Sequence, residues 1–190
     1  PTEKIVVVYP YRDDCSLDTD TYNVKAYLPA TQTYLKDSYG LDGNIMVSQS
    51  TTNQHALKSV CGWLKLQLSG KGEQVRTITL RGNNGEQVAG ELLIDSADAT
   101  SELASDEGDG VRLTEVTLDC QDGVTLGSEA TAFYIALPPQ TFDKGLTVEV
   151  NCTDGVKYCK YTQKHSGFLQ PCLQLDPYQS LLPPFLQEKS

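Results

Sequence analysis

The chain has 190 residues, 39% of them hydrophobic and 21% charged, a balance that excludes a disordered tail or a coiled coil and leaves enough apolar material for a core. Fifteen basic residues against twenty-five acidic ones give a net charge of −10, and no lysine or arginine cluster interrupts it. Nucleic-acid phosphates and anionic membrane surfaces would repel such a chain and are not expected as partners, and apolar runs such as Ile5 to Tyr9 and Ala132 to Leu137 are too short to cross a bilayer.

In chain order, the segments Ile5 to Tyr9, Val24 to Leu28, Val60 to Leu68, Val75 to Leu80 and Leu92 to Ile94 read as strands. Val111 to Leu118, Phe133 to Leu137 and Leu146 to Val150 follow. The period is two: Leu64, Leu66 and Leu68 share one face with Lys65 and Gln67 on the other, and Leu146, Val148 and Val150 alternate with Thr147 and Glu149. Asn84-Gly85, Asp122-Gly123 and Asp154-Gly155 supply the positive-φ pairs of tight hairpins, with looser reversals at Asp42-Gly43 and Gly70-Lys71-Gly72. Short helical turns are expected only at His55 to Val60 and in the acidic stretch after Ser96. Closely spaced strands joined by hairpins predict an all-β antiparallel sandwich rather than a parallel α/β sheet.

The pattern predicts a β-domain over residues 1–163 and a proline-containing tail over 164–190. From Ser166 onward, Pro171, Pro177, Pro183 and Pro184 replace the alternation, and proline lacks the amide donor a central strand needs. The tail is expected outside the core, with Phe168, Leu173 and Phe185 as isolated apolar anchors. The start at Pro1, directly before a strand, leads to the expectation of an upstream piece.

Candidate chemistry is sparse. Six cysteines show no CxxC, and a two-residue turn at Asp154-Gly155 would set Cys152 and Cys159 on a diagonal of one face, a poor geometry for a disulfide. Structural, reduced cysteines are expected. A Ser-His-Asp or Cys-His arrangement must use His55 or His165; His55 with Cys61 is the nearest pair, and proximity in sequence alone does not make a dyad. The acidic run from Asp95 to Asp109 contains Asp106-Glu107-Gly108-Asp109-Gly110, which lacks the alternating ligands and terminal glutamate of an EF-hand and reads as a solvated connection. Trp63, Tyr134, Tyr158 and Tyr161 would form a sugar-stacking platform if they shared an exposed face, although aromatic residues also pack well within sheets. No catalytic, metal or cofactor residues are assigned, and no enzyme activity is expected.

Longer strings carry more information. Val8-Tyr9-Pro10-Tyr11, Leu28-Pro29-Ala30-Thr31-Gln32-Thr33-Tyr34 and Cys61-Gly62-Trp63-Leu64-Lys65-Leu66 occur in order. Ile78-Thr79-Leu80-Arg81-Gly82-Asn83-Asn84-Gly85-Glu86 and Ala89-Gly90 come next, then Val116-Thr117-Leu118-Asp119-Cys120. Phe133-Tyr134-Ile135-Ala136-Leu137-Pro138-Pro139, Phe142-Asp143-Lys144-Gly145-Leu146-Thr147-Val148 and Thr153-Asp154-Gly155 complete the series. Over about residues 5–163 the chain resembles the fimbrillin-like proteins of Bacteroidetes-type bacteria.

The resemblance implies a transthyretin-like sandwich, export as an outer-membrane lipoprotein, and a non-enzymatic part in fimbriae and surface adhesion. The implied partners are other fimbrial subunits or further copies of itself, joined through edge strands such as Ile5 to Tyr9 and the last hairpin, Leu146 to Tyr161. Binding of a glycan or host surface protein is the alternative. Family precursors carry a signal peptide, a lipid-bearing cysteine and further strands ahead of the segment matching Val8-Tyr9-Pro10-Tyr11, and these are expected to belong to the upstream piece. The chain departs from the family after Lys164, where the family continues with a strand rich in Ser, Thr and Ile.

Overall fold

A computed structural model describes residues 3–104, 113–161 and 173–174. In chain order the strands are β1 (Ile5–Tyr9), β2 (Ser16–Leu17), β3 (Asn23–Leu28), β4 (Thr31–Thr33), β5 (Met46–Ser50), β6 (Lys58–Ser59), β7 (Gly62–Leu68) and β8 (Gln74–Gly82). They continue with β9 (Gly90–Asp95), β10 (Thr100–Leu103), β11 (Glu115–Thr125), β12 (Thr131–Leu137), β13 (Leu146–Cys152), β14 (Lys157–Tyr161) and β15 (Leu173–Gln174). The sheets run β1-β5-β6, β10-β9-β3-β2, β14-β13-β8-β11-β4 and β12-β7-β15. Pairing is antiparallel except where β4 joins β11 and β15 joins β7. The chain is all-β and sandwich-like, as its alternation predicts.

Two hydrophobic clusters hold the layers together, and β7 serves both. Leu64, Leu66 and Leu68 face β8, β11 and β13, packing with Ile78, Leu80, Val116, Leu118 and Phe133 in the first cluster. Trp63, one position out of phase, enters the second with Val24, Leu28, Val47, Leu92 and Ile94. A strand whose two faces are both covered reads as continuously apolar at its shared end, as Gly62-Trp63-Leu64 does. Burying a Leu or Ile side chain contributes about 1.5–3 kcal/mol, so these clusters, more than any surface pair, hold the sheets face to face.

The two short helical turns expected from sequence are absent among the described residues. After His55 the chain forms β6 and an extended link, where the Val60 amide donates to the Ile45 carbonyl at 3.0 Å. The stretch after Ser96 is a hairpin: Asp95 Oδ1 accepts the Ala97 amide at 2.8 Å, and β10 folds back on β9. Side-chain acceptors of this kind stabilise turns in competition with helix.

The turn assignments also shift. Asn84-Gly85 leads from β8 to β9, strands of different sheets, so it is a turn without a hairpin. Asp122-Gly123 is a bulge inside β11, where the register against β8 slips between Asp119 and Val124. Asp154-Gly155 does close a hairpin, but the Cys152 amide donates to the Val156 carbonyl at 2.8 Å, leaving a three-residue loop with Gly155 at φ 88°. Cys159 consequently lies opposite Glu149, not Val150. The tail returns in part: Leu173 and Gln174 pair parallel to Leu64 and Lys65 at the edge of β7, within the proline-free window between Pro171 and Pro177. His165, Phe168 and Phe185 lie outside the described residues.

Candidate interaction surface

Both expected edges lie at sheet margins. β1 pairs with β5 along its whole length, Ile5 opposite Ser50 through Tyr9 opposite Met46, and no described strand covers its other side. Its Ile5-Val6-Val7-Val8-Tyr9 run combines β-branched and aromatic residues, with Val6 and Val8 packed against the second cluster and Ile5 and Tyr9 exposed. Such a strand presents unpaired amides and carbonyls beside apolar surface, the combination that accepts a further strand.

β14 is the corresponding margin of the five-stranded sheet. The one-residue change in hairpin register puts Lys157, Cys159 and Tyr161 on the solvent face with Glu149, while Tyr158 packs against the first cluster. Lys157 Nζ donates to Glu149 Oε1 at 3.2 Å, and that bond holds the Glu149 carboxyl below its ordinary range. The Cys159 thiol beside the Tyr161 hydroxyl pushes the tyrosine up. Tyr161 is 68% exposed.

One position on the edge of β12, Ala136, is treated the opposite way. Gln32 on β4 is 2% exposed, and its side-chain amide mimics a neighbouring strand. Its Nε2 donates to the Ala136 carbonyl at 3.0 Å and its Oε1 accepts the Ala136 amide at 2.8 Å. Ala136 lies opposite Trp63 of β7 at a position whose amide and carbonyl both point away from that strand, and Gln32 satisfies the two of them. Gly43 closes over this clamp: a Cβ there would fall 2.4 Å from the Ala136 Cβ. No sequence signal marked Gln32; its position between two exposed threonines in a three-residue strand was the available hint.

The remaining candidates resolve differently from the sequence expectation. Trp63 is 4% exposed, with its ring centroid 4.5 Å from that of Tyr39, which in turn lies 4.7 Å from Tyr134. The four aromatics share no exposed face: Trp63 is buried in the second cluster, Tyr134 flanks it, Tyr158 packs on the first cluster and Tyr161 stands alone. Trp63 is therefore no sugar platform. Cys61 is buried, and burial pushes its thiol up to about 12, which keeps it protonated and non-nucleophilic. No hydrogen bond joins it to His55 among the described residues, and His55 Nδ1 has no partner there.

Asp95 and Asp98 cap their own turn, accepting the amides of Ala97 and Thr100 at 2.8 and 2.9 Å. Asp106-Glu107-Gly108-Asp109-Gly110 lies outside the described residues. The described cysteines, Cys15, Cys61, Cys120, Cys152 and Cys159, are free thiols. Cys152 and Cys159 occupy opposite faces of the hairpin rather than one diagonal. An open cleft of about 670 Å³ lies across β2, β3, β9 and β10, where Asn23, Lys25, Leu93, Asp95, Thr100 and Glu102 line it.

No protein-family profile matches the chain, and no curated protein matches it. Among solved structures it is similar to a crystal structure described as a "putative cell adhesion protein" from Bacteroides ovatus ATCC 8483. The two share 12% sequence identity with a TM-score of 0.49 over 83% of this chain. This chain spans about 55% of the length of that protein.

Proposed function

We propose that the chain is a non-enzymatic subunit of a cell-surface adhesive assembly, of the fimbrial kind and exported to the outer membrane, which joins its neighbours by adding strands to open sheet edges. The observation that carries the proposal is the contrast between edges. The margin of β12 is capped at Ala136 by the Gln32 amide, whereas β1 and β14 are left uncovered by any described strand or side-chain amide. The first of these is built from five consecutive β-prone residues. A long apolar edge left open is an aggregation liability in a protein that does not use it, and a docking surface in one that does. The ordered strings shared with fimbrillin-like proteins support the same reading.

The test is the location and form of the native product. Intact mass, N-terminal sequencing and surface biotinylation of native cells should find an envelope-bound, acylated chain that co-purifies in multi-subunit assemblies. A monomeric, unmodified product confined to the cytoplasm would overturn the proposal. The alternative, recognition of a glycan or host protein, is favoured by the 670 Å³ cleft, whose amide, hydroxyl and carboxylate groups surround the half-buried Leu93. Substituting Asn23 and Glu102 would then abolish ligand binding while leaving assembly intact.

A further inference from the structure

The edge of β14 is self-complementary. Because the Cys152 amide bonds the Val156 carbonyl, the antiparallel alternation makes Val156, Tyr158 and Lys160 the residues that bond inward to β13. Lys157, Cys159 and Tyr161 then direct their amides and carbonyls outward, away from the sheet. A second strand continuing the sheet must pair odd positions with odd positions, since a one-residue slip would put every side chain on the wrong face.

Three such registers place residues near the middle of the five-residue strand. Centring on Tyr158 opposes Lys157 and Cys159 of the two copies but leaves Tyr161 against the turn residue Gly155, so only two of the three outward residues find a strand partner. Centring on Lys160 opposes Cys159 and Tyr161 but leaves Lys157 beyond the end of the partner strand, and it also opposes two ammonium groups, which repel. Centring on Cys159 alone gives all three outward-facing residues a partner within the strand: Lys157 meets Tyr161 of the second copy, and Cys159 meets itself. Tyr158 then lies opposite Lys160 of the second copy, so each lysine faces an aromatic ring rather than a like charge, a favourable cross-strand pair.

We infer that two copies of this chain pair antiparallel through β14, about a two-fold axis at Cys159, making one sheet continuous across both. The three outward residues of each strand supply about six backbone hydrogen bonds between the copies. The contact is isologous and closes on itself, so it yields a dimer and leaves β1 as the edge for any further growth. This inference rests on the edge-strand function proposed above and specifies its partner and register. A five-residue strand pair is smaller than the interface of an obligate dimer, and the pair is expected to dissociate on dilution.

Sedimentation equilibrium over about 1 to 200 µM tests it. The wild-type mass should climb towards twice the 20.8 kDa of the chain, and Cys159→Ser, which keeps the backbone, should behave alike. Cys159→Pro removes an outward amide without removing a bond to β13, and should stay at the single-chain mass with an unchanged circular dichroism spectrum. If that variant misfolds, Cys159→Lys opposes two charges at the axis and should likewise remain single. In a chain carrying Cys15→Ser and Cys172→Ser, a short bis-maleimide should join copies through Cys159. Single-chain mass throughout, or a dimer unaffected by both edge variants, would overturn the inference. Open-ended assembly surviving Cys159→Pro would sink the two-fold pairing and leave the edge-strand function standing.

Discussion

Replacing Gln32 by methionine removes a donor and an acceptor while nearly keeping side-chain volume. The Ala136 amide and carbonyl, bonded to Gln32 at 2.8 and 3.0 Å, lose those partners in a buried site. Each unsatisfied buried backbone group costs about 1–3 kcal/mol, so the variant should lose about 2–5 kcal/mol after partial relaxation. The chain has one tryptophan, Trp63, and it pairs directly with Ala136 across β7 and β12, so its fluorescence reports on this spot. With a urea m-value of about 2 kcal/mol/M, the midpoint should fall by about 1–2.5 M. Gln32→Glu sharpens the test, because only the protonated acid can both donate and accept. Its folded-state pKa is raised, so its stability relative to wild type is fully present below the unfolded value of about 4.3 and lost as pH rises through the folded value. A midpoint shift under about 0.3 M in Gln32→Met, with no pH dependence in Gln32→Glu, would refute the clamp.

Three further outcomes follow from the same geometry. Trp63→Ala should destabilise the fold by about 3–5 kcal/mol in urea titration, as expected for an aromatic core residue and not for an exposed ligand platform. Cys61, pushed up to about 12 by burial, should resist iodoacetamide at pH 8 in the native chain and react only on unfolding, as peptide mass mapping would show. Lys157→Ala should raise the Glu149 pKa seen by carboxyl NMR titration. Since Glu149 is depressed in the fold, the stability it contributes is present above its unfolded pKa and lost as pH falls through the folded one. The pair is largely exposed, so this amounts to at most about 1 kcal/mol.

The fold was legible where side chains alternate strictly. Leu64, Leu66 and Leu68 announced β7, and Leu146, Val148 and Val150 announced β13, because one wet face and one dry face leave a period of two. It was illegible where backbone pairing rather than burial makes the strand. Thr100-Ser101-Glu102-Leu103 and Thr31-Gln32-Thr33 carry almost no apolar signal, yet β9 and β11 recruit them by their ladders. Met46–Ser50 was missed for the same reason, being polar over its second half. Aspartate-glycine pairs misled in register: Asp154-Gly155 sits in a three-residue loop and Asp122-Gly123 in a bulge, since both need a positive-φ glycine as much as a two-residue turn does. That single-residue difference moved Cys159 to the solvent face and created the candidate dimer edge. Trp63 showed the limit of alternation, which placed it opposite Leu64 and Leu66 without revealing that a second cluster covers that side.

The claim that open sheet edges are the working surfaces is tested most directly by hydrogen exchange on the native material. The amides of Ile5–Tyr9 that point away from β5, and those of Lys157, Cys159 and Tyr161, should exchange readily in the dilute, dissociated chain and become protected in assemblies recovered from the envelope, with the core of β7 and β8 unchanged between the two. Equal exchange at both edges in the two preparations would contradict the account, because strand addition cannot occur without protecting the amides it pairs.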